Sequence, residues 1–151
     1  MEFDAARQGP LFETPVAHFL LRAFLSDGID EVIAHMTAIE AAVGLEMDHK
    51  AKLRPKPDLH KGLSATKRVA ARIGGMLNDG SAARDYQELF ELRSTFIHGR
   101  AGLQKISTAK RVMARSIARR VTAGLINLSH QTARPRSDVL TDLLDHGAQY
   151  L

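Results

Sequence analysis

The segment that decides the fold runs from Glu88 to Gly99 and reads ELFELRSTFIHG. Its apolar residues recur at helical spacing, which predicts an amphipathic helix with one face turned toward a core. Gly99 predicts where this helix ends, because glycine adopts the left-handed conformation that closes a helix at little steric cost. His98 is therefore expected in the last turn, where outward-pointing carbonyl oxygens favour a positive charge.

The same helical periodicity continues on both sides of this segment, and no stretch alternates in the manner of a strand. We therefore predict an all-α fold, a bundle of five to six helices. An irregular N-terminal lead-in is expected over residues 1–13, followed by a single helical domain over 14–151. The pair Gly74-Gly75 either permits close packing of a neighbour or ends its helix early. The expected helices cover about 14–25, 29–47, 64–77, 82–98, 105–129 and 138–145.

The composition excludes several classes of site. The 151 residues contain no cysteine, so disulfides and zinc–thiolate centres are excluded, and a reducing, cytoplasmic location fits this usage. The seven histidines lack the short ligand pairings that zinc prefers, and no glycine-rich phosphate loop occurs. No metal or cofactor is therefore predicted.

The charge and hydropathy pattern restricts the partners. No apolar run approaches the roughly 20 residues that span a bilayer, so no membrane partner is expected. The net charge of +4 permits an anionic partner, RNA included. Tryptophan is absent and there are only two tyrosines, which argues against an extended aromatic platform for stacking bases.

Arg93 and His98 suit the cleavage of a phosphodiester. Arginine offers a planar set of donors that match phosphate oxygens, and it stabilises charge that grows on them in the transition state. Histidine moves a proton near neutral pH. In RNA the nucleophile is already present as the 2′-hydroxyl, so this chemistry needs no metal. The alternative is that Arg93 forms a salt bridge and His98 only caps the helix.

Helix geometry favours a site shared by two chains. At about 100° per residue, Arg93 and His98 lie roughly 140° apart around the helix axis. One helix would present them poorly to a single phosphate, whereas two copies facing each other about a two-fold axis bring both pairs into one cleft. A catalytic interpretation therefore predicts a homodimer with a composite site.

The residues 89–99, with Leu92-Arg93 and the closing His98-Gly99, resemble the Arg-(four to six residues)-His motif of HEPN domains, and of their Apea-like branch in particular. The earlier stretch 33–45, which contains Ala38-Ile39-Glu40, is similar to an earlier helix of that branch with its apolar–Glu pair. The resemblance covers about 16–144.

This resemblance implies an α-helical bundle that is usually a dimer. Many members are metal-independent endoribonucleases, often toxins or effectors in defence against phage, so an antitoxin or a larger effector is an implied partner. Arg93 and His98 correspond to the active pair. Ser94 follows the motif arginine where active members often carry Asn, Asp or His, and its hydroxyl still donates or accepts a hydrogen bond. Other members are inactive modules for nucleotide binding or dimerisation.

Two further residues are candidate supports for the motif. Glu40 either orients Arg93 or a substrate hydroxyl, or it is a structural carboxylate whose charge is tolerated because an arginine pairs with it. Arg93 is the first partner expected for it. Arg100 directly follows the motif and is a further supporting candidate.

A stripe of arginines on the helix after the motif is a candidate RNA-binding surface. Arg111, Arg115 and Arg119 recur at four-residue spacing, opposite the apolar side of that helix. Such a stripe either follows a phosphate backbone or forms an ordinary solvated face.

Overall fold

A computed structural model describes residues 8–99 and 106–151, and over these two ranges the chain is helical with no strand, which confirms the predicted all-α class. Short 3-10 turns cover Pro10–Phe12, Ala51–Leu53 and Ala148–Tyr150. The α-helices are α1 (Val16–Phe24), α2 (Gly28–Val43), α3 (Glu46–His49), α4 (Ala65–Leu77), α5 (Gly80–Ile97), α6 (Thr108–Gln131) and α7 (Arg136–Gly147).

The described residues hold one helix more than the expected five to six, because the second predicted helix is interrupted. It ends at Val43 instead of continuing to Met47. Gly44 is extended, with φ −83° and ψ 152°, and the chain turns into α3. There the side chain of Asp48 accepts a hydrogen bond from the backbone N–H of Leu45 at 2.8 Å. The short helix thereby places Asp48 beneath the end of α2.

The end of α5 agrees with the sequence prediction, and its start lies slightly earlier. Asp79 caps the N-terminus by accepting from the backbone N–H groups of Ser81 and Ala82, at 2.9 Å and 3.4 Å. At the other end, His98 is the C-cap and Gly99 has φ +63°, the left-handed conformation that stops the helix. The motif histidine is thus fixed at the end of a long helix.

Helix α2 is the central element and packs against α1, α4, α5 and α6. Helix α4 packs on α7 and α5. The glycine pair of α4 permits close packing and does not end the helix, since a Cβ at Gly75 would lie 2.5 Å from the carbonyl oxygen of Leu143. The largest fully buried apolar side chains come from six of the helices and from the N-terminal turn: Leu11, Val16, Met36, Ile39, Ile73, Leu89, Ile117, Leu125 and Leu140.

The described part of the N-terminal lead-in belongs to the packed structure. Leu11 is fully buried and Phe12 is 9% exposed, and both lie in the hydrophobic core. The 3-10 turn that carries them contacts α6. None of the described helices is long and apolar enough to cross a bilayer.

Candidate active site

Arg93 points from α5 toward the C-terminal end of α2, where it meets Glu40. Its Nη2 lies 2.9 Å from Oε1 of Glu40, which confirms the predicted pairing. The hydroxyl of Tyr86, about two helical turns earlier on α5, donates to the same oxygen at 3.2 Å. Burial raises the pKa of Tyr86, and the charge of Glu40 raises it further, so the phenol keeps its proton and remains a donor. The carboxylate is thus held from two positions on α5.

The guanidinium of Arg93 is positioned but not saturated. Its Cζ lies 4.9 Å from the ring centroid of Phe90, a cation–π contact with the preceding turn. The side chain is 17% exposed, and its partner Glu40 is 34% exposed. In residues 8–99 and 106–151 Arg93 has no carboxylate partner besides Glu40. Since a guanidinium carries five N–H donors, most of them remain free for a ligand.

Beside this pair lies a cleft of about 520 Å³. Tyr86, Phe90 and Arg93 of α5 form one wall, and Ser64 and Thr66 at the start of α4 form another. The carboxylates that line it are already paired, since Asp48 binds Arg72 and Glu46 binds Lys50. Arg93 is therefore the lining side chain that we expect to attract a phosphate most strongly. The remaining lining residues are Glu40, Gly44, Leu45, His49, Ala65 and Val69.

His98 does not line the cleft. It is exposed at the C-cap of α5, and its backbone N–H donates to the carbonyl of Ser94 at 3.0 Å. The side chain of Ser94 is half-buried and makes no hydrogen bond within the described ranges. Arg100 lies outside the described residues. In one chain, therefore, Arg93 lines the cleft and His98 lies outside it. The two motif side chains of a single chain are not placed to contact the same phosphate.

The arginine stripe of α6 is in large part an ion-pair network and not a freely solvated face. Nε of Arg111 donates to Oε2 of Glu31 at 2.7 Å, and Nη2 of Arg115 donates to Oε1 at 2.5 Å. Glu31, on α2, is 2% exposed. Burial alone would raise the pKa of Glu31, but the hydrogen bonds and charges of the two arginines outweigh it and lower the pKa. Arg119 is exposed and has no such carboxylate partner among the described residues.

Sequence reasoning missed two parts of the molecule. The first is the Glu31 centre, where the signal was a carboxylate inside the apolar run of α2, the same signal that singled out Glu40. Its neighbour His35 is 5% exposed, and its Nδ1 has no hydrogen-bond partner in the described chain. The second is the buried pair of Asp48 and Arg72, which joins the short helix α3 to α4 across 24 positions and has no local signal.

No group of three or more His, Asp or Glu side chains in the described ranges could hold a metal ion. The chain matches no family model, no curated protein and no solved structure. The site therefore has to be interpreted from its own geometry.

Proposed function

We propose that the chain is an HEPN-type, metal-independent endoribonuclease of the cytoplasm, a toxin or phage-defence effector that works as a homodimer. The observation that carries the proposal is the motif arginine itself: Arg93 is held by Glu40 and Phe90 at the rim of a cleft, with N–H donors left free. A guanidinium arranged in this way is ready to bind a phosphate with little loss of conformational freedom.

The reaction follows from the two motif side chains. The RNA 2′-hydroxyl releases its proton to solvent water as its oxygen attacks the adjacent phosphorus, a 2′-O–P bond forms, and the P–O5′ bond breaks. His98 delivers a proton to the leaving 5′-oxygen, and Arg93 stabilises the charge that grows on the non-bridging oxygens. The products are a 2′,3′-cyclic phosphate and a 5′-hydroxyl.

The exposed end of α5 supports a dimeric arrangement. Of the apolar residues in the motif segment 88–99, only Leu89 is fully buried. Leu92 and Phe96 are half-buried, and Ile97 is 62% exposed. Because His98 follows directly, a second copy packed on this surface would cover apolar area and bring the partner's histidine toward the cleft.

Cleavage of a labelled RNA in EDTA tests the proposal, with wild type compared with His98→Ala. His130→Ala removes another exposed histidine and is the matched control. We expect loss of cleavage in His98→Ala alone, with cyclic-phosphate ends in the wild-type products. An inert wild type, or equal cleavage by His98→Ala, would refute the proposal.

A second candidate function is a non-catalytic module for nucleotide binding or dimerisation. The cleft favours it, since it is lined largely by apolar atoms and contains Arg93 but not His98. Thermal stabilisation by nucleotides that is lost in a cleft variant such as Phe90→Ala, in a protein without ribonuclease activity, would support this candidate over the first.

A further inference from the structure

A second cavity, of about 410 Å³, lies between α1 and α6. One wall is apolar and belongs to α1, and the opposite wall is cationic and belongs to α6. Nothing in the motif chemistry uses this cavity. The walls are formed by Leu20, Ala23 and Phe24 on α1 and by Arg111, Arg115 and Arg119 on α6.

The cationic wall is held rigidly. Both oxygens of the buried Glu31 are engaged, one by Arg111 and the other by Arg115. Arg111 also binds Asp27 through Nη2 at 2.6 Å. The arginine side chains nevertheless stay 30% and 41% exposed, so their outer edges face the cavity and solvent. Two guanidinium groups are thus fixed before any ligand arrives, which lowers the entropy lost on binding.

The cavity keeps a positive charge that its own carboxylates do not neutralise. Glu31 and Asp27 balance Arg111 and Arg115, while Arg119 has no ion-pair partner in the described ranges. His35 also lines the cavity, and burial and the nearby arginines lower its pKa, although Glu31 opposes this effect. The histidine therefore stays neutral near pH 7, and one net charge remains for an anion.

The apolar wall offers a flat ring beside that charge. Phe24 is 81% exposed, which is unusual for an aromatic side chain with no partner protein over it. An exposed ring next to arginines is the arrangement with which proteins bind an unpaired base and its phosphate together.

We propose that this α1–α6 cavity binds one nucleotide of a single-stranded RNA. The base stacks on Phe24, and its phosphate contacts Arg119 and the outer edge of Arg115. The inference rests on the proposed ribonuclease function and identifies a second site, distant from the cleavage site, that binds the RNA strand. Glu31 and Glu40 are nine residues apart on α2, so the two centres lie about 14 Å apart along the helix and on roughly opposite faces. The cavity therefore contributes to binding and not to the chemical step.

Fluorescence anisotropy with a 5′-labelled, 2′-O-methylated single-stranded RNA in EDTA tests this, because the probe cannot be cleaved. Phe24→Ala and Arg119→Ala should each weaken binding about tenfold or more. Arg119→Ala should also reduce the slope of log K against log salt by about 0.7. The matched controls are Leu59→Ala, which truncates a 79% exposed apolar residue, and Arg84→Ala, which removes an exposed arginine of α5.

The outcomes separate this inference from the proposed function. Weaker binding in the two cavity variants alone supports the cavity, even if the wild type cleaves nothing. If the wild type cleaves RNA and both variants keep its affinity and its KM, the proposed nucleotide site is refuted, whereas the proposed ribonuclease function is not affected. A wild type that binds no RNA also overturns it, and would make the exposed apolar side of α1 a surface for a protein partner.

Discussion

Two acid–arginine pairs lie at the C-terminal end of α2, and they differ in how many N–H donors of the arginine are engaged in hydrogen bonds. Arg72 is fully buried, and Asp48 is 2% exposed. Arg72 donates to both oxygens of Asp48 at 2.6 Å and 2.8 Å, and also to the carbonyls of Val43 and Leu140, at 3.0 Å and 3.1 Å. Arg93 is partly exposed, binds Glu40 alone among the carboxylates of the described residues, and keeps free donors beside a cleft.

The difference separates a structural pair from a candidate functional one. A buried charge is tolerated only when its partners satisfy it, so the donors of Arg72 are engaged in holding α2, α4 and α7 together. An arginine with unused donors at a cleft is available to a ligand. The Glu31 centre lies between these extremes, with a buried carboxylate and two arginines that are partly exposed.

The largest expected effect is a loss of stability when the buried pair of Asp48 and Arg72 is broken. Asp48→Ala leaves the charge of Arg72 buried without its partner, and we expect a loss of about 3–5 kcal/mol in the free energy of unfolding. Urea denaturation measures it. Asp142→Ala, which breaks the exposed pair with Arg134, is the control and should change stability by less than about 1 kcal/mol. A similar small loss in both variants would remove the distinction.

A smaller effect is expected at the intermediate centre. Glu31→Ala removes the carboxylate that holds Arg111 and Arg115, but these arginines regain solvent contact. We therefore expect a loss of about 2 kcal/mol, below that of Asp48→Ala. The same denaturation experiment checks the order, and a loss larger than that of Asp48→Ala would contradict it.

Arg93 should matter little for stability and much for activity. We expect Arg93→Ala to lower the free energy of unfolding by less than about 1 kcal/mol, because the pair is partly solvated. RNA cleavage should fall about 100- to 1,000-fold, the usual result of removing one donor to a developing oxyanion. Paired measurements of unfolding and of initial cleavage rates test both halves. Arg84→Ala is the matched control and should retain activity.

The smallest effect concerns protonation beside Glu31. Because the pKa of His35 is lowered below its ordinary value of 6.5, the unfolded chain takes up this proton more readily than the folded chain. The contribution of His35 to the free energy of unfolding is therefore fully present above about pH 6.5, and it declines as the pH falls below this value. His35→Gln should flatten that decline between pH 7 and pH 5, whereas His18→Gln, at an exposed histidine, should not. Equal pH profiles of His35→Gln and wild type would contradict this.

The sequence predicted the parts that depend on neighbours along the chain. Helix periodicity indicated the all-α class, and Gly99 marked the end of α5 because a left-handed residue is a local requirement. The pairing of Glu40 with Arg93 was also accessible, since a charge within an apolar run needs a partner. The extra helix α3 could not be predicted from the sequence, because the break at Gly44 follows from the way the chain turns Asp48 toward Arg72.

What only the tertiary structure decided is how each charge is used. Helical spacing placed Arg111, Arg115 and Arg119 on one face of α6. It could not show that α2 brings Glu31 against the first two and that Arg119 has no carboxylate partner in the described part of the chain. Likewise the motif predicts that Arg93 and His98 act together, whereas the fold places Arg93 at a cleft and His98 at an exposed helix end. Sequence spacing specifies the direction of a side chain around its own helix, and packing between helices determines which groups it meets.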